Sequence, residues 1–169
     1  NRGVFLMEGM WSFFFPAMAK VRELIASGAI GEVRLVRADF CFRIPYDPGF
    51  RLFSPELGGG ALLDVGVYPL ALAWLCYGSE PAAVETLVNR APSGVDEQAA
   101  LALHYDDGAM AVLTCASRTA LPQEAVIAGT EGYLRIPERF SQPDAIELVR
   151  GGETERFAYP RRGYGYYLE

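Results

Sequence analysis

In 169 residues this chain has a single lysine, Lys20, and a single histidine, His104. One imidazole cannot build a histidine-rich zinc or iron centre, and no metal is expected. The lone lysine is equally limiting, because many enzymes that move protons or form imines rely on one. Cysteine is scarce too. Cys41, Cys76 and Cys115 are far apart, odd in number and set among apolar neighbours, which fits neither a disulfide framework nor metal-ligand spacing and points to a reducing, cytoplasmic setting. Positive charge is in deficit: 15 Lys and Arg against 21 Asp and Glu leave −6, arguing against nucleic acid or an anionic membrane surface as partner. A membrane-spanning or signal segment is not expected at Val4 to Ala19 either. Glu8 and Pro16 interrupt that stretch, it falls short of the roughly 20 residues a spanning helix needs, and no basic n-region or small-residue cleavage site frames it.

What is present is the composition of a folded domain, 51% hydrophobic and 21% charged, in a length suited to one domain or one domain plus fragments of a neighbour. Gly3 to Met7 reads as a strand buried on both faces, the kind found in parallel sheets. No βαβ units follow it, so residues 1–12 read as the last strand and exit of a missing α/β domain, with 13–169 as the next domain. Met18, Val21, Leu24 and Ile25 have helical spacing between Pro16, suited to a first turn, and Gly28, suited to a stop. Glu32 to Phe42 alternates as a strand. Tyr46 to Glu56 reads as a loop, and Ala61 to Tyr77 as a helix that Pro69 should kink or interrupt.

Beyond Gly78 the period changes to two. Val84 to Asn89, Gln98 to Tyr105, Ala109 to Arg118, Glu124 to Ala128, Gly132 to Ile136, Ile146 to Val149 and Glu155 to Tyr159 read as strands, with turns at Asp107-Gly108, Thr130-Glu131-Gly132 and Gly151-Gly152. The expectation is an α+β fold with a meander-like, mostly antiparallel sheet. Leu101 and Leu103 oppose Ala100 and Ala102, and Met110 and Val112 oppose Ala111 and Leu113, so both faces suit burial. Helices can cover only one. The other calls for a partner, simplest as a second copy, with Val112 and Leu113 taken as outward-facing positions.

The densest signal is the run Gly58 to Pro69, GGGALLDVGVYP. On a helix starting at Ala61, Asp64 and Tyr68 project from one face a turn apart, placing two proton-handling groups together. The glycines permit a sharp turn and leave the first N–H groups of the helix open towards a ligand. The plainer alternative is an amphipathic helix in which Asp64 caps locally and Tyr68 is half-buried with its hydroxyl satisfied.

These residues, together with GVFLMEGMW at 3–11, FFPAMAKVRELIASGAIGEVRLVRADF at 14–40, RLFSPELGGGALLDVGVYP at 51–69 and AGTEGYLRIP at 128–137, resemble the C-terminal region of the glucose-fructose oxidoreductase, inositol dehydrogenase and rhizopine-catabolism family (Gfo/Idh/MocA). Within it the chain is similar to the dihydrodiol and sugar dehydrogenase branch. The resemblance implies an α+β domain with an open, mostly antiparallel sheet of about six strands and helices on one face. It implies a role in substrate binding and oligomerisation within an oxidoreductase that moves hydride between NADP or NAD and a hydroxyl or carbonyl of a sugar, polyol or dihydrodiol. Tyr68 stands where many relatives carry histidine and would donate the proton. Asp64 would orient substrate hydroxyls or tune the tyrosine. Trp11, Phe40 and Arg51 would bind substrate, and Glu8 and Trp11 lie where relatives approach the nicotinamide. The main cofactor site would belong to the absent domain: no GxGxxG follows a strand, and the family's Glu-Lys-Pro lysine cannot be Lys20, which lies in the helix after Pro16. A homo-oligomer through the open sheet face is implied. The competing reading is a noncatalytic binding or assembly module with the same fold.

Overall fold

A computed structural model describes residues 2–7 and 9–160 of the chain. The strands are β1 (Val33–Cys41), β2 (Ala83–Arg90), β3 (Asp96–His104), β4 (Met110–Ala116), β5 (Ala125–Gly129), β6 (Tyr133–Ile136), β7 (Ala145–Arg150) and β8 (Glu153–Ala158). They form one eight-stranded sheet in the order β2-β3-β4-β1-β5-β6-β7-β8, two strands more than the six or so implied by resemblance. Each neighbour pair is antiparallel except β1 with β4. Two meanders, β2-β3-β4 and β5 to β8, therefore flank a central strand that comes first in sequence.

Two helices, α1 (Pro16–Ala26) and α2 (Val67–Tyr77), complete the fold, and α2 packs on β1 and β4. Pairing of Val36 with Ala111 and Ile127, and of Ala38 with Leu113 and Ala125, puts these side chains on the helix-covered face, where all are buried. Leu113 thus points into the core, not outward: its register partner Ala38 lies beneath the helices. The outward set is the alternate one, Leu35, Met110 and Val112, each about two-fifths exposed, with Ala100 and Ala102 beside Val112.

The apolar run Gly3 to Met7 forms no strand among the described residues, and Val4, Phe5 and Leu6 are 79%, 87% and 92% exposed. A lone extended segment has no ladder partner for its backbone groups, so sequence character alone does not make it a strand.

Pro69 neither ends nor breaks the second helix. The irregularity precedes it, as a π-helical stretch over Leu62–Gly66 that passes into α2, where Pro69 is buried at the third position. The wider turn gives the proline ring room from the carbonyl one turn back. Gly66 allows this stretch to press on the sheet, since a Cβ there would meet Leu62 Cδ1 at 2.8 Å and Cys115 Sγ at 3.1 Å. Pro55–Tyr77 is long and apolar enough by composition to cross a membrane. In the fold it is a series of 3₁₀, π and α pieces, broken at Gly58–Gly60 and packed on β1, β3 and β4.

Candidate active site

Tyr68 lies in continuous helical backbone four residues after Asp64, so the two share a helix face despite the following proline. Tyr68 is partly buried beside the C-terminal half of β1. Its ring packs on Phe40 with centroids 5.2 Å apart, and Phe40 in turn meets Phe42 at 6.4 Å and Phe140 at 6.3 Å. Alternation on β1 aims Phe40 at the covered side, alongside Val36 and Ala38.

Trp11 enters from another direction. It opens a 3₁₀ turn over Trp11–Phe14, just ahead of α1, and its ring packs on Phe15 at 5.3 Å. Its indole Nε1–H donates to the Tyr68 hydroxyl oxygen at 3.0 Å. Three of the residues named from sequence, Trp11, Phe40 and Tyr68, thus form one aromatic cluster around a phenol.

Arg51 and Asp64 make a second pair. Arg51 begins the 3₁₀ turn Arg51–Phe53 and reaches Asp64, Nη2 to Oδ1, at 2.6 Å. The arginine side chain is 62% exposed and the carboxylate 20%. Asp64 makes no N-terminal cap to its helix, so it is held by the arginine and not by the local backbone. Glu8 lies outside the described residues. His104 is exposed at the end of β3.

The turn made by the triple glycine is filled from within the chain and is not left open towards a ligand. The N–H groups of Gly58, Gly59 and Gly60 donate to the carbonyls of Pro55, Ser54 and Leu52, and that of Leu62 donates to Asp96 Oδ2 at 2.6 Å. Gly60, at φ +126°, lies directly against the Asp96 carboxylate, where a Cβ would collide. A Cβ on Gly59 would stand 2.7 to 2.8 Å from the carbonyl oxygens of Arg51, Leu52 and Ser54. A turn lined by carbonyls and closed by a carboxylate repels phosphate. The pyrophosphate of a dinucleotide does not fit there, and no group of three or more metal-ligating side chains occurs among the described residues.

Sequence reasoning missed Asp96 and Phe140. Asp96 opens a strand 34 residues from Leu62, and nothing local marks it as the partner of the glycine turn. Phe140 follows β6 in an irregular segment, so no periodicity points it at Phe40.

The three thiols are unpaired. Burial pushes Cys76 up to about 12 and Cys115 up to about 11, so both stay protonated at neutral pH and offer no nucleophile.

The family model for the GFO/IDH/MocA C-terminal domain matches residues 18–135. Trans-1,2-dihydrobenzene-1,2-diol dehydrogenase of Danio rerio is 39% identical over 153 residues, 90% of this chain and 45% of that protein. The Mus musculus enzyme of the same name is 35% identical over 98% of this chain and 49% of its own length. The chain thus spans about half the length of the curated relatives it matches. Among solved structures, the aldose-aldose oxidoreductase of Caulobacter crescentus complexed with glycerol superposes with TM-score 0.85 at 28% identity, over 98% of this chain and 51% of that one. A 3-ketoreductase of Actinomadura kijaniata, solved with NADP and TDP-benzene, gives 0.81 at 28% identity over 98% and 52%. The fold and these matches agree, and the chain belongs to the Gfo/Idh/MocA oxidoreductase family, whose C-terminal domain it carries.

Proposed function

We propose that the chain is the substrate-side domain of a nicotinamide-dependent oxidoreductase acting on a hydroxyl or carbonyl of a sugar, polyol or dihydrodiol, with Tyr68 as the proton donor. The observation that carries this reading is the Tyr68 hydroxyl, held in an aromatic cluster with Asp64 one turn away. Reduction of a carbonyl builds alkoxide character on its oxygen, and a phenol within hydrogen-bond reach can supply the proton. Phe40 and Trp11 would wall the substrate, and the Arg51–Asp64 pair offers a donor and an acceptor for neighbouring hydroxyls. NADP or NAD, as bound by solved relatives, supplies or accepts the hydride when present. Its phosphates find no cradle in the glycine turn, which supports placing that half of the site on a separate dinucleotide-binding domain. The exposed side chains Val4 to Met7 belong to the segment that would face that domain.

The same reading takes the sheet face opposite the helices as a self-association surface, giving a homo-oligomer, a homodimer in its simplest form. Leu35, Leu87, Met110, Val112 and Tyr133 lie outward there, 39% to 78% exposed. A cytoplasmic location fits the three unpaired thiols.

Tyr68→Phe in the full-length enzyme tests the assignment. Turnover is expected to fall by roughly 10²-fold or more with KM nearly unchanged, because the hydroxyl acts mainly in the transition state. Turnover within a few-fold of the parent removes Tyr68 as the donor.

A further inference from the structure

The Trp11–Tyr68 hydrogen bond runs in one direction only. An indole Nε1–H can donate and has no lone pair with which to accept, so at 3.0 Å the phenol oxygen must be the acceptor. Tyr68's own hydrogen is therefore not in that bond. Among the described residues its hydroxyl donates to no backbone or side-chain acceptor, although the ring is partly buried and packed on Phe40. Such a hydrogen is left for something outside the described residues.

We infer that Trp11 is a positioning residue for Tyr68: its N–H fixes one lone pair of the phenol oxygen, turns the O–H towards the bound substrate and steadies the oxygen as it gives up its proton. The inference rests on the reading of Tyr68 as proton donor and assigns Trp11 a role beyond that of an aromatic wall. A hydrogen bond to a charged partner is roughly twice as strong as one between neutral groups. As the proton moves to the substrate oxygen, negative charge grows on the phenol oxygen, and the indole bond strengthens with it. It therefore acts more on the transition state than on the bound ground state. The local structure suits this use. Trp11 is held at the start of a 3₁₀ turn, its backbone N–H donates to Gly9 O at 2.8 Å, and its ring is braced by Phe15. The donor is thus placed by the fold ahead of substrate arrival.

A wall role and a positioning role predict different kinetics. Trp11→Phe keeps an aromatic ring facing Phe15 and removes the N–H together with part of the indole surface. The Tyr68→Phe background, in which only the surface loss can still count, separates the two. In the full-length enzyme the expected result is a fall of about ten-fold in kcat for carbonyl reduction, with KM within two-fold of the parent. The solvent deuterium isotope effect on kcat should rise, since proton transfer becomes more limiting. In a Tyr68→Phe background, the same Trp11→Phe change should cost nothing further, because the group it serves is gone. Unchanged kcat, a change in KM alone, or an equal cost in both backgrounds overturns the inference. Full turnover in Tyr68→Phe by itself removes the donor assignment as well, so that failure is distinct from one confined to Trp11. A melting temperature for Trp11→Phe close to that of the parent shows that the loss is not unfolding.

Discussion

Arg51 closes over the glycine turn onto Asp64, Nη2 to Oδ1 at 2.6 Å, tying the loop before the turn to the helix that carries Tyr68. Because the arginine is largely in water, the pair contributes at most about 1 kcal/mol to stability. Its value would lie in pointing the carboxylate. Asp64→Asn is expected to raise KM and lower kcat together, each severalfold, with little change in the thermal midpoint. Steady-state kinetics alongside a melt check this, and kinetics equal to the parent's return Asp64 to a purely structural place.

Asp96 is the hidden partner of the glycine motif. Its carboxylate takes the Leu62 N–H and fills the space that Gly60 leaves open. Asp96→Ala leaves a partly buried donor unpaired and opens a void, so it should cost about 1 to 3 kcal/mol in urea unfolding. Asp96→Asn retains an acceptor oxygen and should cost less. Gly60→Ala should destabilise also, through both positive φ and collision with Asp96.

These relationships mark where the sequence stops being legible. The strands were readable from alternation, with boundaries within two residues: Glu32 to Phe42 against Val33–Cys41, or Ile146 to Val149 against Ala145–Arg150. The parallel β1–β4 pairing was not, because the two strands are far apart in sequence and no turn between them encodes it. Resemblance singles out Trp11, Phe40 and Tyr68, since motif positions are local, and the structure brings the three into one cluster. The Trp11–Tyr68 bond spans 57 residues, and although an indole can only donate, no local pattern brings the two residues together. The partner of the glycine turn is hidden for the same reason. Three glycines announce freedom and close approach, but not whether a phosphate or an aspartate from β3 comes near.

Asp39 on β1 gives a pH signature. Burial holds its carboxyl above the usual range, and nearby Glu124 adds to this, while the Gln123 N–H donated to Oδ2 at 2.8 Å opposes it. The native protein therefore keeps this proton to higher pH than the unfolded chain does. That contribution to stability is complete below the unfolded value and is lost as pH rises through the native one. Asp39→Asn should lose no such contribution. Urea midpoints measured from pH 3.5 to 7 should show the variant gaining on the parent as pH rises, and parallel curves would remove Asp39 from this role.

The final prediction separates the two faces of β4, which alternate within a single strand. Val112 is 42% exposed on the open face and Leu113 is 0% exposed beneath the helices. Leu113→Ala removes buried methyl groups from a packed core and should cost about 2 to 5 kcal/mol, whatever the oligomeric state. Val112→Arg should leave the fold of each subunit intact, since the long side chain can extend into solvent. If the open face joins two copies, however, the arginine places a charge within an apolar contact without a partner, and association should weaken by tenfold or more. Light scattering on dilution, with a urea melt of each variant, distinguishes the outcomes. A parent that remains monomeric at tens of micromolar, or a Val112→Arg variant that associates as the parent does, would remove this face as the self-association surface.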